Sequence, residues 1–395
     1  MSMASVDEQA PLVIVGSGMA GNQLLKQFRK LNSEREVVVI CADSGDFYSK
    51  PMLSNALKQH KTPAQLRMQT AEQLSQTLNA RYQTHTEVLQ IDAQKKCLIT
   101  SAGVQFYSQC VLALGAQPRR LPWQGDAAQQ VQAINDWQAY AQFRMQLDAL
   151  LAHKAASDIR VAVIGAGLVG CEFANDLHSL GVQVLLFSPQ AECLFPVFPP
   201  QAGAILRDAL QQQGINCLMP STVTHLQQHG EQICIRGEGF DDQQVDLVIS
   251  AVGLVSQTQL ASAAGLRTEN GICVDSYLRS SDENIFALGD CAQINAQSLR
   301  YILPIMHSSA ALAQTLIGTP TAVQLPVMPI LLKTPACPML IAAAAMSVGE
   351  WQWQGSGCDW VGLCHDGASQ LINFVVTGQC MTEKAHLLKQ MSDYG

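Results

Sequence analysis

Charge and aromatic character are both sparse in this chain of 395 residues: Asp, Glu, Lys and Arg make up 14% of it, and Phe, Trp and Tyr only 6%. A disordered chain, or one built to bind nucleic acid, needs far more charge than that. The net charge of −8 argues against a general polyanion partner, although a local basic patch stays open. No apolar run reaches about 18 residues, so no membrane-crossing helix is expected. The opening stretch MSMASVDEQAP holds two acids and no basic residue, so no leader peptide is expected either. There are thirteen cysteines, but none stand at CxxC or zinc-finger spacing. They read as small buried thiols in a reducing cytoplasm. No metal site is expected.

What is abundant is Ala, Val and Leu, and 48% of the chain is hydrophobic, enough for two or three cores. The run Leu12 to Val15 is continuously apolar, as a strand buried on both faces requires. Gly16, Gly18 and Gly21 follow it in G-x-G-x-x-G order. The first glycine permits a tight turn, the second lets backbone approach a pyrophosphate, and the third lets helix pack on strand. Leu24, Leu25, Phe28 and Leu31 then recur at helical spacing, and VVVI (37 to 40) is a second buried strand. The helix start therefore aims free N–H groups and a positive dipole end at phosphate. Asp43, a residue or two late, is the acid expected to hold ribose hydroxyls.

The arrangement repeats at RVAVIG (160 to 165), with Gly165, Gly167 and Gly170, helix residues Phe173, Ala174 and Leu177, and the strand VQVLLF (182 to 187). Leu168 and Val169 complete this second cradle. Here Ser188 fills the acidic place, and the next arginine in sequence is Arg207. With no nearby base to grip a 2′-phosphate, NADH is expected over NADPH. CVLALGAQPRRLP (110 to 122) and DLVISAVGL (246 to 254) each read as a buried strand ending in glycine, bracketing an inserted domain. NIFALGDCAQ (284 to 293) reads as a strand that stops at Gly289-Asp290 and opens a helix, which Asp290 would cap.

Two cradles, two strand–glycine returns and the ALGDCA element together resemble the FAD-dependent pyridine-nucleotide oxidoreductases over residues 11 to 325. FYSKPMLSNAL (47 to 57), GCEFANDL (170 to 177) and LLKTPACP (331 to 338) are similar to the rubredoxin reductases within that superfamily. The resemblance implies an α/β, glutathione-reductase-like fold with two Rossmann-like dinucleotide-binding domains, the NAD domain inserted in the FAD domain, plus a small α+β C-terminal domain. The implied boundaries are 8–118 and 254–325 for FAD, 119–253 for NAD and 326–395 for the last domain. It implies hydride transfer from NADH to FAD, then electron transfer to rubredoxin, feeding an oxygenase such as an alkane hydroxylase. A flavorubredoxin or ferredoxin reductase is the alternative enzyme; a slow-turnover NADH-sensing flavoprotein is a different class.

By the same resemblance, Ser17, Gly18, Met19 and Ala20 would touch the FAD pyrophosphate, and Ala42 with Asp43 the adenosine ribose. Lys50 would lie along FAD, the Val88 backbone beside adenine, Asp290 on the ribityl chain, and Ile302 and Lys333 at the isoalloxazine. Read on their own, Lys50 and Lys333 are surface lysines, Val88 is core, and His307 is structural. Glu172 reads on its own as an acid in a helix first turn; by resemblance it positions groups where nicotinamide meets flavin. Its lysine partner in ferredoxin-reductase relatives is replaced by Asn55, which removes a salt bridge. Lacking a closely spaced cysteine pair, the chain is expected to give electrons singly to a small acidic carrier. Residues 26 to 67, with eight Lys or Arg against four acids, would steer that carrier. Cys171, near a helix start, reads as packing rather than as a reactive thiol.

Overall fold

The structure is a computed structural model and describes residues 10–298, 300–343 and 349–392. The segment in which no leader is expected falls almost wholly in residues 1–9, outside the described residues. The chain divides into two compact units, and neither is contiguous. The first comprises the chain up to Ser49, Arg67–Gln117 and Leu254–Pro326; the second comprises Lys50–Leu66, Pro118–Gly253 and Val327 onward.

In the first unit a five-stranded parallel sheet runs Ile285–Ala287, Gln109–Leu112, Leu12–Val15, Val37–Ile40, Arg81–Gln83. Leu12–Val15 is the central strand and is buried throughout, which is why its sequence shows no polar alternation. The helix Met19–Leu31 covers it with Leu24, Leu25 and Phe28, and Ile302–Leu316 packs against that helix. Leu31, expected on the same apolar face, is 41% exposed, because the helix ends there and Asn32 turns the chain away. The expected helix after Asp290 is also absent. Gly289, at φ +77°, opens a single 3-10 turn, Gly289–Cys291, and Ala292–Ile294 then pairs in parallel with Ile272–Val274. Asp290 lies inside that turn and caps no α-helix.

The second unit holds a four-stranded parallel sheet in the order Asn216–Leu218, Gln183–Phe187, Arg160–Ile164, Leu247–Ser250. The helix Leu168–His178 follows its Arg160–Ile164 strand, repeating the strand–glycine–helix plan of the first unit. A separate antiparallel sheet of five strands runs from Ile330 to Thr377, and the helix Lys384–Ser392 buries Leu387 beneath Phe374 and Val376. Among the described residues no helix is long and apolar enough to cross a membrane.

Candidate functional site: two nucleotide cradles and a polar helix face

The two glycine loops have nearly the same backbone. Gly16 and Gly165 take φ of +112° and +109°, a conformation that a side chain resists, and each N–H donates 2.8 Å to the strand alongside, at Ile40 and Phe187. Gly18 and Gly167 precede the helices in extended conformation with no side-chain cap. Around both, no atom comes within 4 Å of where a Cβ would stand. A Cβ on Gly21 or Gly170 would instead collide with the carbonyl of Gly16 or Gly165. Open space above the second glycine, with uncapped helix N–H groups beside it, fits a pyrophosphate in each unit.

The first loop is braced by residues that its motif does not reveal. Asn22, buried one position past the third glycine, donates to the Ser17 carbonyl and accepts from the Tyr82 hydroxyl. Ala42 and Asp43 are exposed just beyond the second strand, and the Asp43 carboxylate accepts from the Gly45 N–H at 2.9 Å. Val88 is half-buried and opens a three-stranded antiparallel sheet. The Asp290 carbonyl is held by the Ser256 hydroxyl at 2.7 Å, which accepts in turn from Arg300. Ile302 is the first residue of its helix and is exposed with Leu303. His307 is exposed on that helix.

In the second unit the helix Leu168–His178 carries a polar face. Glu172 lies in its second turn, not its first, so the dipole is not what holds it. Its Oε2 accepts from Ser54 Oγ at 2.6 Å and from Asn55 Nδ2 at 3.2 Å, while Oε1 accepts from the Lys333 backbone N–H at 3.2 Å. Asn55 thus keeps the contact as a neutral hydrogen bond. One turn on, the buried Asp176 carboxylate accepts from Leu57 N–H at 2.9 Å and Lys58 N–H at 2.8 Å. Asn175 Oδ1 accepts from Ala336 N–H at 3.0 Å. Burial pushes Asp176 up to about 6 despite its two donors and the nearby Arg144. One helix therefore ties both lysine-bearing segments to the second cradle. The Lys50 and Lys333 side chains themselves are exposed.

All thirteen cysteines are free, ten of them buried. The fold nevertheless brings together thiols that are distant in sequence. Cys171 contacts Cys193, and Cys337 contacts Cys358. The Cys193 thiol alongside, together with full burial, drives the Cys171 thiol well above its ordinary value, and burial drives Cys337 to about 12. Cys171 and Cys337 therefore stay protonated at neutral pH and make poor nucleophiles. Alkylation of the native protein is accordingly expected to leave turnover within about twofold of the untreated rate. A single labelled thiol that stops turnover with flavin still bound would show a cysteine carries electrons.

Two arginines of the basic stretch of 26 to 67 are engaged within the first unit. Arg29 donates to the carbonyls of Leu78, Asn32, Arg35 and Asn79, and Arg35 reaches Gln109, Ser108 and the Leu316 carbonyl. Both are structural. Arg67 pairs with Asp46 in the first unit, whereas Lys50, Lys58 and Lys61 belong to the second.

Residues 10–315 match the family of pyridine nucleotide-disulphide oxidoreductases, and residues 322–391 match the rubredoxin binding C-terminal domain. The chain belongs to the pyridine nucleotide-disulphide oxidoreductase family. It is 38% identical to a rubredoxin-NAD(+) reductase of Alcanivorax borkumensis, over 96% of this chain and 98% of that protein. It is 36% identical to a nitric oxide reductase FlRd-NAD(+) reductase of Escherichia coli, over 96% of this chain and 99% of that one. The fold is also that of a chain in the solved covalent putidaredoxin reductase–putidaredoxin complex, with a TM-score of 0.86 at 22% identity, covering 97% of this chain and 93% of that one.

Proposed function

We propose that this protein is a cytoplasmic flavoprotein reductase that passes electrons from NADH through FAD to rubredoxin, supplying an oxygenase such as an alkane hydroxylase. The observation that carries the reading is the pair of matched cradles on one chain, joined to a C-terminal segment that matches a rubredoxin-binding domain. FAD, when bound, supplies a two-electron acceptor for the hydride of NADH and a one-electron donor to the carrier. Residues 8–118 and 254–325 form the FAD domain in this reading, 119–253 the NAD domain, and 326–395 the carrier-facing domain.

Gly16 to Gly21 hold the FAD pyrophosphate on helix N–H groups, Ala42 and Asp43 the ribose, Val88 the adenine edge, and Asp290 the ribityl chain. The uncapped start of the helix at Ile302 offers its positive end to charge developing on the flavin. Gly165 to Gly170 hold the NADH pyrophosphate. Glu172 is a positioning residue: it orients Ser54, Asn55 and the Lys333 backbone, and through them the segments carrying Lys50 and Lys333.

The purified protein is expected to be yellow, with one dissociable FAD per chain. A folded but colourless protein that FAD cannot reconstitute would overturn the reading. Turnover with purified rubredoxin, flavorubredoxin and ferredoxin ranks the acceptors; flavorubredoxin is the second candidate, on the 36% identity to its reductase. If Lys58 and Lys61 steer an acidic carrier, Lys58→Gln with Lys61→Gln should slow carrier reduction severalfold at low salt and leave flavin reduction by NADH unchanged. Carrier reduction that ignores both salt and this double substitution removes the steering claim alone.

A further inference from the structure

Distance in sequence sets Arg207 apart from the second cradle, but the fold returns it there. Ser188 follows the strand Gln183–Phe187, at the place where this fold chooses between ribose hydroxyls and a 2′-phosphate. Ser188 is buried, and its hydroxyl accepts from the Gln190 N–H at 3.1 Å, so it is turned into its own loop. That loop is tied to the cradle, because Leu194 N–H donates to the Ala166 carbonyl at 2.8 Å. The helix Pro200–Gln212 lies directly against it: a Cβ on Gly203 would collide with the Cys193 carbonyl. Arg207 stands one turn beyond Gly203 on the same face.

Four of its five N–H donors are engaged there. Nη1 donates to Glu192 Oε2 at 2.8 Å and to the Ala191 carbonyl at 3.4 Å. Nε and Nη2 donate to Asp208 Oδ1 at 3.1 and 2.9 Å. Two carboxylates against one guanidinium leave a net negative charge at the loop. A 2′-phosphate brings between one and a half and two further negative charges, roughly, so it meets repulsion where a free arginine would attract it.

We propose that Glu192, assisted by Asp208, determines nucleotide specificity by holding Arg207 out of reach of a 2′-phosphate. The proposal rests on the reading that the second cradle takes NADH. It makes Arg207 a latent 2′-phosphate ligand and Glu192 a residue that selects against NADPH.

The test is equilibrium binding of ADP-ribose and 2′-phospho-ADP-ribose to the FAD-loaded protein by calorimetry, which needs no turnover. Wild type should bind ADP-ribose in preference. In Glu192→Gln, and more strongly in Glu192→Gln/Asp208→Asn, 2′-phospho-ADP-ribose should gain at least about tenfold relative to ADP-ribose, while ADP-ribose affinity stays within about twofold. Adding Arg207→Ala should erase the gain, and Glu192→Ala should act in the same sense as Glu192→Gln. An unchanged ratio in the Glu192 variants, or a gain that survives loss of Arg207, overturns the proposal and leaves the NADH reading standing. Failure of wild type to bind ADP-ribose at all overturns both.

Discussion

Gly170→Ala is expected to cut reduction of the bound flavin by NADH at least about a hundredfold, with FAD content unchanged. The new methyl group would collide with the Gly165 carbonyl and stand 3.3 Å from the Ala251 side chain. Backbone cannot yield there without moving the helix Leu168–His178 off its strand. That movement tilts the uncapped N–H groups away from the pyrophosphate, and it carries Glu172, Asn175 and Asp176 with it. Stopped-flow reduction by NADH measures the loss, and reduction by dithionite verifies that the flavin itself remains competent. The matching substitution in the other cradle, Gly21→Ala, should instead release FAD, since it closes the first loop by the same collision. Wild-type NADH kinetics in Gly170→Ala would mean that the close helix–strand approach is not what shapes the cradle.

The largest expected effect on stability is that of Asp176→Ala. It strips the acceptor from two N–H groups, those of Leu57 and Lys58, at a position only 3% exposed. A buried donor left unsatisfied costs about 1–3 kcal/mol, and the Lys58 N–H is only partly buried, so a loss of about 1–4 kcal/mol is expected in denaturant unfolding of the FAD-loaded protein. The loss should also depend on pH. Burial holds the Asp176 carboxyl up to about 6, above its ordinary value in an unfolded chain. The native state therefore binds the proton more tightly, and the stability so gained is complete below about pH 4 and is lost as pH rises through about 6. The gap between wild type and Asp176→Ala should accordingly be widest near pH 4 and narrow toward pH 7, by at most about 1.4 kcal/mol per pH unit. A gap that widens with pH would mean that the two N–H donors outweigh burial. The groups facing Asp176 are Arg144, whose guanidinium also reaches Asp148 and the Lys61 carbonyl, and Glu172.

What could be read from sequence was whatever depends on neighbours along the chain. Leu12–Val15 and Arg160–Ile164 were legible because strands covered on both faces are unbroken apolar runs, and the cradles because a positive φ at Gly16 and Gly165 admits little else. The polar face of the second cradle helix was not legible, since its partners lie 117 to 161 residues away. One signal was present: Asn175 and Asp176 stand together in a helix whose other residues from Phe173 to Leu177 are apolar and buried. Adjacent polar residues on a buried face require partners. The helix expected at Asp290 failed for the opposite reason. A glycine and a short polar residue suit a tight turn as well as a helix start, and local pattern does not separate the two. Spacing likewise missed the meetings of Cys337 with Cys358 and of Arg207 with Glu192, because both depend on the fold.

Because each unit is assembled from three separated pieces of chain, synthesis order becomes a constraint on folding. The helix Leu168–His178 leaves the ribosome with Ser54 to Lys58 already made, but Lys333 and Ala336 arrive only after some 160 further residues, 161 separating each donor from its acceptor. At 5–20 residues per second, that is roughly 8–30 s during which Asn175 has no acceptor role to fill. The first unit waits as well, since its edge strand Ile285–Ala287 follows the whole inserted sheet. A nascent chain stopped before residue 333 would therefore expose an unfinished polar seam rather than a smaller stable enzyme.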